Sequence, residues 1–342
     1  MPKPVKKILI SRTDSIGDVV LTLPLVGLLK KQYPEVEMAF LGQSYTRPVA
    51  NACVFIDEFY DWNEIRTLNK KDQISRFSNI GADVIFHVFP RKEIAQLASK
   101  SGIEQRIGTT GRWYHWLTCN RLIRLSRRRS DLHEAQLNLQ LARQWNHPSL
   151  LPLDVIPDYY GMQRIAPLPA EISERIDPKR FNLILHPKSK GSTREWGLEN
   201  FAQLTHILPP GQFKIFITGT QAEGDLLREA SLFRSAAPVT DMCGRLSLDE
   251  MISFIAAADG LIAASTGPLH LAAALGKVAL GIYPPIKPMH PGRWAPVGKN
   301  ASFLVKDKPL CNQCRKSPAC ECMLQIHPVQ VMKKLEVMIQ KA

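Results

Sequence analysis

Residues 258–276 read ADGLIAASTGPLHLAAALG. The small and aliphatic run from Gly260 to Ala264 suits a fully buried strand, and Ser265, Thr266 and Gly267 end it. Pro268 then opens a nearly all-apolar helical stretch; a proline is tolerated in the first turn because its missing amide proton has no intrahelical acceptor to lose. A second apolar run, Val278 to Tyr283, follows at once. Strand, helix and strand in so short a span make a parallel βαβ unit.

The same rhythm extends outward. In the second half, strands are expected at Asn182 to His186 and Phe213 to Thr218, with helices near 197–207, 221–232, 247–257 and 267–275. In the first half, strands are expected at Lys7 to Arg12, Val36 to Leu41 and Ala82 to Phe89, with helices near 44–52, 71–79 and 91–100. Ile16, Val19, Val20 and Leu23 fall at i, i+3, i+4 and i+7, the signature of one more helix. A proline-rich stretch from Pro152 to Pro187 separates the halves and reads as a connection. The expected organisation is a first domain over 1–165, a linker over 166–180, a second domain over 181–326 and a final amphipathic helix in 327–342. Two such α/β halves place a site at the C-terminal ends of their strands, in a cleft between them.

The 342 residues are 45% hydrophobic and 22% charged, which excludes disordered, collagen-like and coiled-coil classes. No apolar run approaches the roughly 18–20 residues of a membrane-spanning helix, and Arg12 and Asp14 interrupt the first apolar stretch too early for a signal peptide. A cytoplasmic protein is the expectation. The formal charge of +13 favours acidic partners: nucleic acid, phosphorylated substrates or anionic lipid.

Five constellations could carry chemistry. The opening loop and helix, RTDSIGDVVLTLP (12–24), puts Asp14, Ser15, Gly17 and Asp18 where a strand runs into a helix; capping of that helix is the commoner role for an acid there. HPKSKGSTREW (186–196) offers Lys188, Ser189, Thr193 and Arg194, suited to a diphosphate or else a solvated basic loop. In the helix after Thr266, free amides suit an anion, and His270 is either a packed core residue, the commoner case, or a phosphate donor. Glu223, in QAEGD (221–225), can accept the hydroxyls of a ribose or simply cap its helix.

The fifth, RWYHWLTCNRLIRLSRRR (112–129), interleaves aromatics with arginines and suits a membrane surface, a phosphorylated lipid or single-stranded nucleic acid. No nucleic-acid-binding motif accompanies it, so a nucleic-acid partner is not expected. Cys311, Cys314, Cys320 and Cys322, spaced C-x₂-C-x₅-C-x-C, could hold a structural zinc, although free thiols are the commoner outcome; no metal is expected in catalysis.

In order and spacing, these pieces resemble the ADP-heptose:lipopolysaccharide heptosyltransferases, glycosyltransferase family 9. The resemblance runs through RTDSIGDVVLTLP, SDLHEAQLNL (130–139), HPKSKGSTREWGLENFAQL (186–204), GTQAEGD (219–225), the block from Cys243 to Pro285, and IHPVQVMKKL (326–335). It implies an α/β fold of GT-B type, two Rossmann-like domains with parallel sheets facing a central cleft. The first domain would bind the acceptor and the second the nucleotide sugar, with the final helix returning toward the first. The resemblance further implies Asp18 as general base, with Asp14, Ser15, Gly17, Arg124, Arg127 and Arg128 on the acceptor side. Lys188, Ser189, Thr193, Arg194, Glu223, Ser265, Thr266, Gly267 and His270 would hold the donor. Where the best-known members carry aspartate this chain has Ser265, which makes the donor sugar less determined than the reaction type.

The implied activity is inverting transfer of a heptose from ADP-heptose to an anionic lipid or oligosaccharide acceptor of the lipopolysaccharide inner core. It would proceed without a required cofactor, at the cytoplasmic face of the inner membrane. Two alternatives stand beside it: the same fold using another sugar nucleotide for a different surface glycan, and a non-catalytic protein acting through residues 112–129.

Overall fold

The computed structural model describes residues 4–127, 129–145, 150–189, 191, 193–229, 239–287, 289–307, 311 and 321–342. The chain forms two compact units, Met1–Arg164 and Ile165–Ala342.

The first unit is built on six parallel strands in the order β3-β2-β1-β4-β5-β6. These are β1 (Lys7–Ser11), β2 (Glu37–Gly42), β3 (Glu58–Asp61), β4 (Val84–His87), β5 (Gln105–Thr109) and β6 (Arg121–Ile123). The second unit repeats the design with β7 (Phe181–His186), β8 (Phe213–Ile217), β9 (Val239–Asp241), β10 (Gly260–Ala264), β11 (Val278–Tyr283) and β12 (Ala301–Val305). Its order, β12-β11-β10-β7-β8-β9, is the same arrangement. This is the Rossmann strand order, in which the chain reverses direction across the sheet between the first and fourth strands and leaves a crevice at their C-terminal ends. In the first unit that point lies between β1 and β4, where Ser11 pairs with His87. In the second it lies between β7 and β10, where Ala263 pairs with His186.

The central strands are those the sequence announces, because a strand covered on both faces reads as an unbroken apolar run. Leu9, Ala39, Leu41 and Ile85 pack with Trp62, Phe77, Ile94 and Leu97 in one core. Leu183, Leu185, Ile215, Ile217, Ile262, Leu280 and Ile282 pack with Trp196 and Phe201 in the other. The strands that the apolar pattern misses are β3, β6, β9 and β12, the sheet edges, and β5 beside one of them. Edge strands are half covered and short, so sequences such as EFYD, RLI and VTD carry no apolar run.

Two further expectations change. The helix read through Ile16 to Leu23 is two helices, Ile16–Val20 and Leu23–Gln32, broken just ahead of Pro24, whose ring nitrogen has no proton to continue the ladder. The proline-rich stretch is not all connection, since up to Arg164 it belongs to the first unit. The short turn Ile156–Tyr159 lies against helix Leu23–Gln32, and Cys53 bridges to Met162. Contact there is backbone to backbone: a Cβ on Gly27 would stand 2.1 Å from the Tyr159 carbonyl oxygen. Within the expected linker, helix Ala170–Ser173 buries Ile172 and packs near helix Leu248–Ala257 of the second unit.

The last helix, Pro328–Ile339, lays its apolar face on the second unit. Val331, Leu335 and Met338 join that unit's core, against helix Leu198–Ile207 and strands β11 and β12. Among the described residues no helix is long and apolar enough to cross a membrane.

Candidate active site

At the C-terminal end of β1 the chain places one guanidinium among three carboxylates. Arg12 is 3% exposed. Its Nε donates to Asp14 Oδ1 at 2.7 Å, a terminal nitrogen donates to Asp18 Oδ1, and the other reaches Glu134 Oε1 at 3.3 Å. Burial opposes the Arg12 charge, but Asp14, Asp18 and Glu134 outweigh it and hold the guanidinium protonated. Glu134 is itself buried and also receives Arg127.

Asn138, fully buried on the same short helix Glu134–Leu139, completes the frame. Its side-chain oxygen accepts from Arg12 at 3.4 Å and from Arg127 at 3.1 and 3.2 Å. Its amide donates to the Leu21 carbonyl at 2.9 Å and to the Thr22 hydroxyl at 3.3 Å, both at the point where the helix breaks. A polar network this connected fixes geometry, since losing one member strands the others in a low dielectric.

Asp18 therefore does not act as a helix cap. The N-cap position of Ile16–Val20 is Ser15, whose side chain makes no capping bond and instead donates its hydroxyl to Asp18 Oδ2. Gly17 is buried within the helix. The Asp18 side chain is 17% exposed, so its carboxylate is held by two donors and still open to solvent. Two carboxylate oxygens offer about four lone-pair positions, and capacity remains for an incoming hydroxyl. Asp14 differs. Burial lifts its pKa to about 6, against the attraction of Arg12 and with the help of the negative charges on Asp18 and Glu134.

From the neighbouring β4, Arg91 ties down the same loop by donating to Thr13 Oγ1 at 2.6 Å and the Thr13 carbonyl at 3.0 Å. Phe89 lies under both Arg12 and Arg91. The arginines expected at the acceptor divide. Arg124 is exposed, but Arg127 turns inward to Glu134, Asn138 and the Val88 carbonyl, and Arg128 lies outside the described residues. Arg127 was expected to face a ligand, yet the buried Glu134 carboxylate claims it, because an acid buried without a cation is costly.

In the second unit, the loop after β7 closes on Glu195. Lys188 Nζ pairs with Glu195 Oε2, while Ser189 donates its backbone amide at 3.0 Å and its hydroxyl at 3.2 Å to Oε1. Trp196, fully buried, anchors the end of the loop by donating Nε1 to the Ile326 carbonyl at 2.7 Å. Thr193 is 5% exposed and its Oγ1 has no hydrogen-bond partner among the described residues; Arg194 is half-buried.

After β8, Glu223 Oε2 accepts from the Thr220 amide at 2.8 Å and its hydroxyl at 2.9 Å, so this oxygen braces the turn that precedes helix Gln221–Glu229. After β10, Ser265 is half-buried and Thr266 is the N-cap of helix Gly267–Ala274, with Pro268 in its first turn. Thr266 makes no capping bond, and its buried Oγ1 has no partner among the described residues. His270 is 3% exposed on that helix.

Parallel pairing brings these three loops to one edge. β7 lies between β8 and β10, so residues 187–189, 193–196, 218–223 and 265–270 follow neighbouring strands at the same end of the sheet. Helix-start amides, the Lys188 ammonium and the unmet Thr193 and Thr266 hydroxyls form a set of donors suited to an anion.

The sequence reading did not single out Arg12, Arg91, Glu134, Asn138 or Glu195, which hold the nominated residues in place. Their signal was present only as charge and amide groups inside RTDSIGD, SDLHEAQLNL and STREW, without the partner each meets in the fold. Cys311 and Cys322 are buried, Cys314 and Cys320 lie outside the described residues, and among the described residues no three histidine, cysteine or acidic side chains gather as a metal site.

Comparison with known proteins agrees with this fold. The family model of glycosyltransferase family 9 (heptosyltransferase) matches residues 100–323. A Haemophilus influenzae protein described in general terms as a glycosyltransferase is 27% identical over 304 residues, covering 85% of this chain and 86% of its own. The lipopolysaccharide core heptosyltransferase OpsX of the same organism is 22% identical over 289 residues, covering 81% and 79%. Among solved structures, the ADP-heptose lipopolysaccharide heptosyltransferase II of E. coli superposes with a TM-score of 0.74 at 17% identity, over 98% of this chain and 99% of that one. On sequence and fold together, the chain belongs to glycosyltransferase family 9, the heptosyltransferases, and is a glycosyltransferase of GT-B type.

Proposed function

We propose that the protein transfers a heptose from ADP-heptose to an acceptor of the lipopolysaccharide inner core, with inversion at the anomeric carbon. The observation that carries this reading is the Asp18 carboxylate, ion-paired to the buried Arg12 yet reachable from solvent. Arg12 and Ser15 hold the carboxylate in place, so Asp18 is positioned to accept the proton of an acceptor hydroxyl as that oxygen attacks. Ser15 orients the second carboxylate oxygen, and Asn138 and Glu134 keep Arg12 from swinging away. A positioned base of this kind is worth about 10²–10⁴ in rate.

On the donor side, the departing nucleoside diphosphate gains negative charge as the glycosidic bond breaks. Lys188, the amides that begin helix Gly267–Ala274 and the hydroxyls of Thr193 and Thr266 would stabilise it, with Ser189 holding the loop through Glu195, Arg194 and His270 as further donors and Gly267 allowing close approach. Glu223, held in the turn by Thr220, would accept a hydroxyl of the ribose. Asp14 and Arg124 would meet the acceptor. The donor and acceptor named here place the work in the cytoplasm, where sugar nucleotides are made.

The test pairs wild type with Asp18→Asn. Turnover of ADP-heptose should fall about 10²–10⁴-fold while the donor KM changes little, and the product anomer read by NMR should be inverted. Wild-type turnover surviving in Asp18→Asn would remove the base. A second reading keeps the fold and changes the sugar: Ser265 is uncharged beside the donor loops, which favours a different sugar nucleotide. A panel of ADP-, UDP- and GDP-sugars separates the two, and activity confined to a donor other than ADP-heptose would establish the second.

A further inference from the structure

One surface of the first unit is left with large apolar side chains in water. Trp113, Trp116 and Leu117 are 64%, 62% and 76% exposed, at and just before the short helix His115–Thr118. Scattered apolar residues on a surface need no explanation, but two indoles and a leucine within five positions form a patch. The patch is also rigid. Trp116 donates Nε1 to the Thr110 carbonyl at 3.1 Å, and Tyr114 packs edge-on to both Trp113 and the buried His115. Energy has gone into presenting these rings outward rather than folding them in.

The charge around the patch has one sign. No Asp or Glu occurs between Gln105 and Arg129. Arg112, Arg121, Arg124 and Arg129 are exposed, and Lys92 from the adjacent helix Lys92–Lys100 reaches over the Trp113 ring at 5.0 Å. Glu93 and Glu104 are the nearby exposed acids in sequence. Indole rings favour the headgroup level of a bilayer, aliphatic tips gain by entering the acyl region, and basic side chains bind anionic headgroups. Leu117, the most exposed of the three, decides between partners: base stacking has no use for an aliphatic side chain, whereas a bilayer does.

We infer that Trp113, Trp116 and Leu117, with Lys92 over the Trp113 ring and the exposed Arg112 and Arg121 flanking them in sequence, dock this protein on an anionic phospholipid surface. The inference stands on exposure and charge, independently of the donor, the acceptor and Asp18.

Vesicles of phosphatidylcholine with phosphatidylglycerol at 7:3, and of phosphatidylcholine alone, would be floated with the full-length protein in 0.1 M and 0.5 M NaCl. Wild type should float with the anionic vesicles and show a blue-shifted tryptophan emission. Binding should fall at least 10-fold on pure phosphatidylcholine, at the higher salt, in Trp113→Ser/Trp116→Ser and in Arg112→Gln/Arg121→Gln. The substituted side chains are exposed, so far-UV circular dichroism should match wild type; Leu117→Ser alone is the milder variant if the double one misfolds. Equal flotation of wild type and both double variants would overturn the inference. So would absence of wild-type flotation, or loss in the variants of binding to a single-stranded oligonucleotide with vesicle binding unchanged. No substrate enters the assay, so its failure is separable from failure of the transferase reading.

Discussion

Asp14 sits where its protonated form is favoured, and that makes the stability of the first unit depend on pH in an unusual direction. Burial raises its pKa from the ordinary 3.8 to about 6. Between those values the native protein holds a proton that the unfolded chain has released. Its contribution is therefore fully present below about pH 3.8 and lost as pH rises through about 6. At 1.36 kcal/mol per pH unit, the difference amounts to roughly 3 kcal/mol. The side chain is 19% exposed and Arg12 3%, so solvent screening takes little from this figure. Asp14→Asn keeps an acceptor oxygen for Arg12 Nε and cannot ionise. The stability of the variant relative to wild type should accordingly rise by about 2.5 kcal/mol between pH 4 and pH 7.5. Pulse-labelling hydrogen exchange at increasing urea, read on peptides covering β1, reports unfolding of this unit by itself. A difference between variant and wild type that stays constant across that pH range would refute the account of Asp14.

His87 should act in the opposite sense. It is fully buried, both ring nitrogens lack hydrogen-bond partners among the described residues, and burial lowers its pKa to about 3. The unfolded chain takes up a proton below about 6.5 that the native state refuses, so His87 costs stability as pH falls from 6.5 toward 3. His87→Leu should remove about 2.5 kcal/mol of this acid sensitivity between pH 7 and pH 4.5, visible as a smaller loss of urea midpoint over that range. Gly27→Ala forces a Cβ against the Tyr159 carbonyl and should cost about 1–3 kcal/mol, lowering the melting temperature by several degrees in calorimetry. Glu195→Gln weakens the grip on Lys188 and Ser189; the donor KM should rise about 10-fold, equivalent to ~1.4 kcal/mol, with kcat nearly unchanged in steady-state kinetics. An equal fall in kcat would place Glu195 in the chemical step instead.

What could be read without the fold follows from local physics. The apolar runs of β1, β7, β10 and β11 and the proline opening helix Gly267–Ala274 are each decided by neighbours a few residues away. So two Rossmann-like halves, and the loops where ligands would be met, were legible from the chain alone. The edge strands were not, because their stability comes from one covered face and a pairing partner rather than from their own composition. Nor was the setting of Asp18. Arg12 meets Glu134 and Asn138 across more than 120 positions, and Arg127 is drawn off the surface by the same acid. Whether a charged side chain is ligand, cap or internal brace is an energetic competition among groups brought together by folding. The sequence names the competitors; burial and distance in the tertiary structure pick the winner.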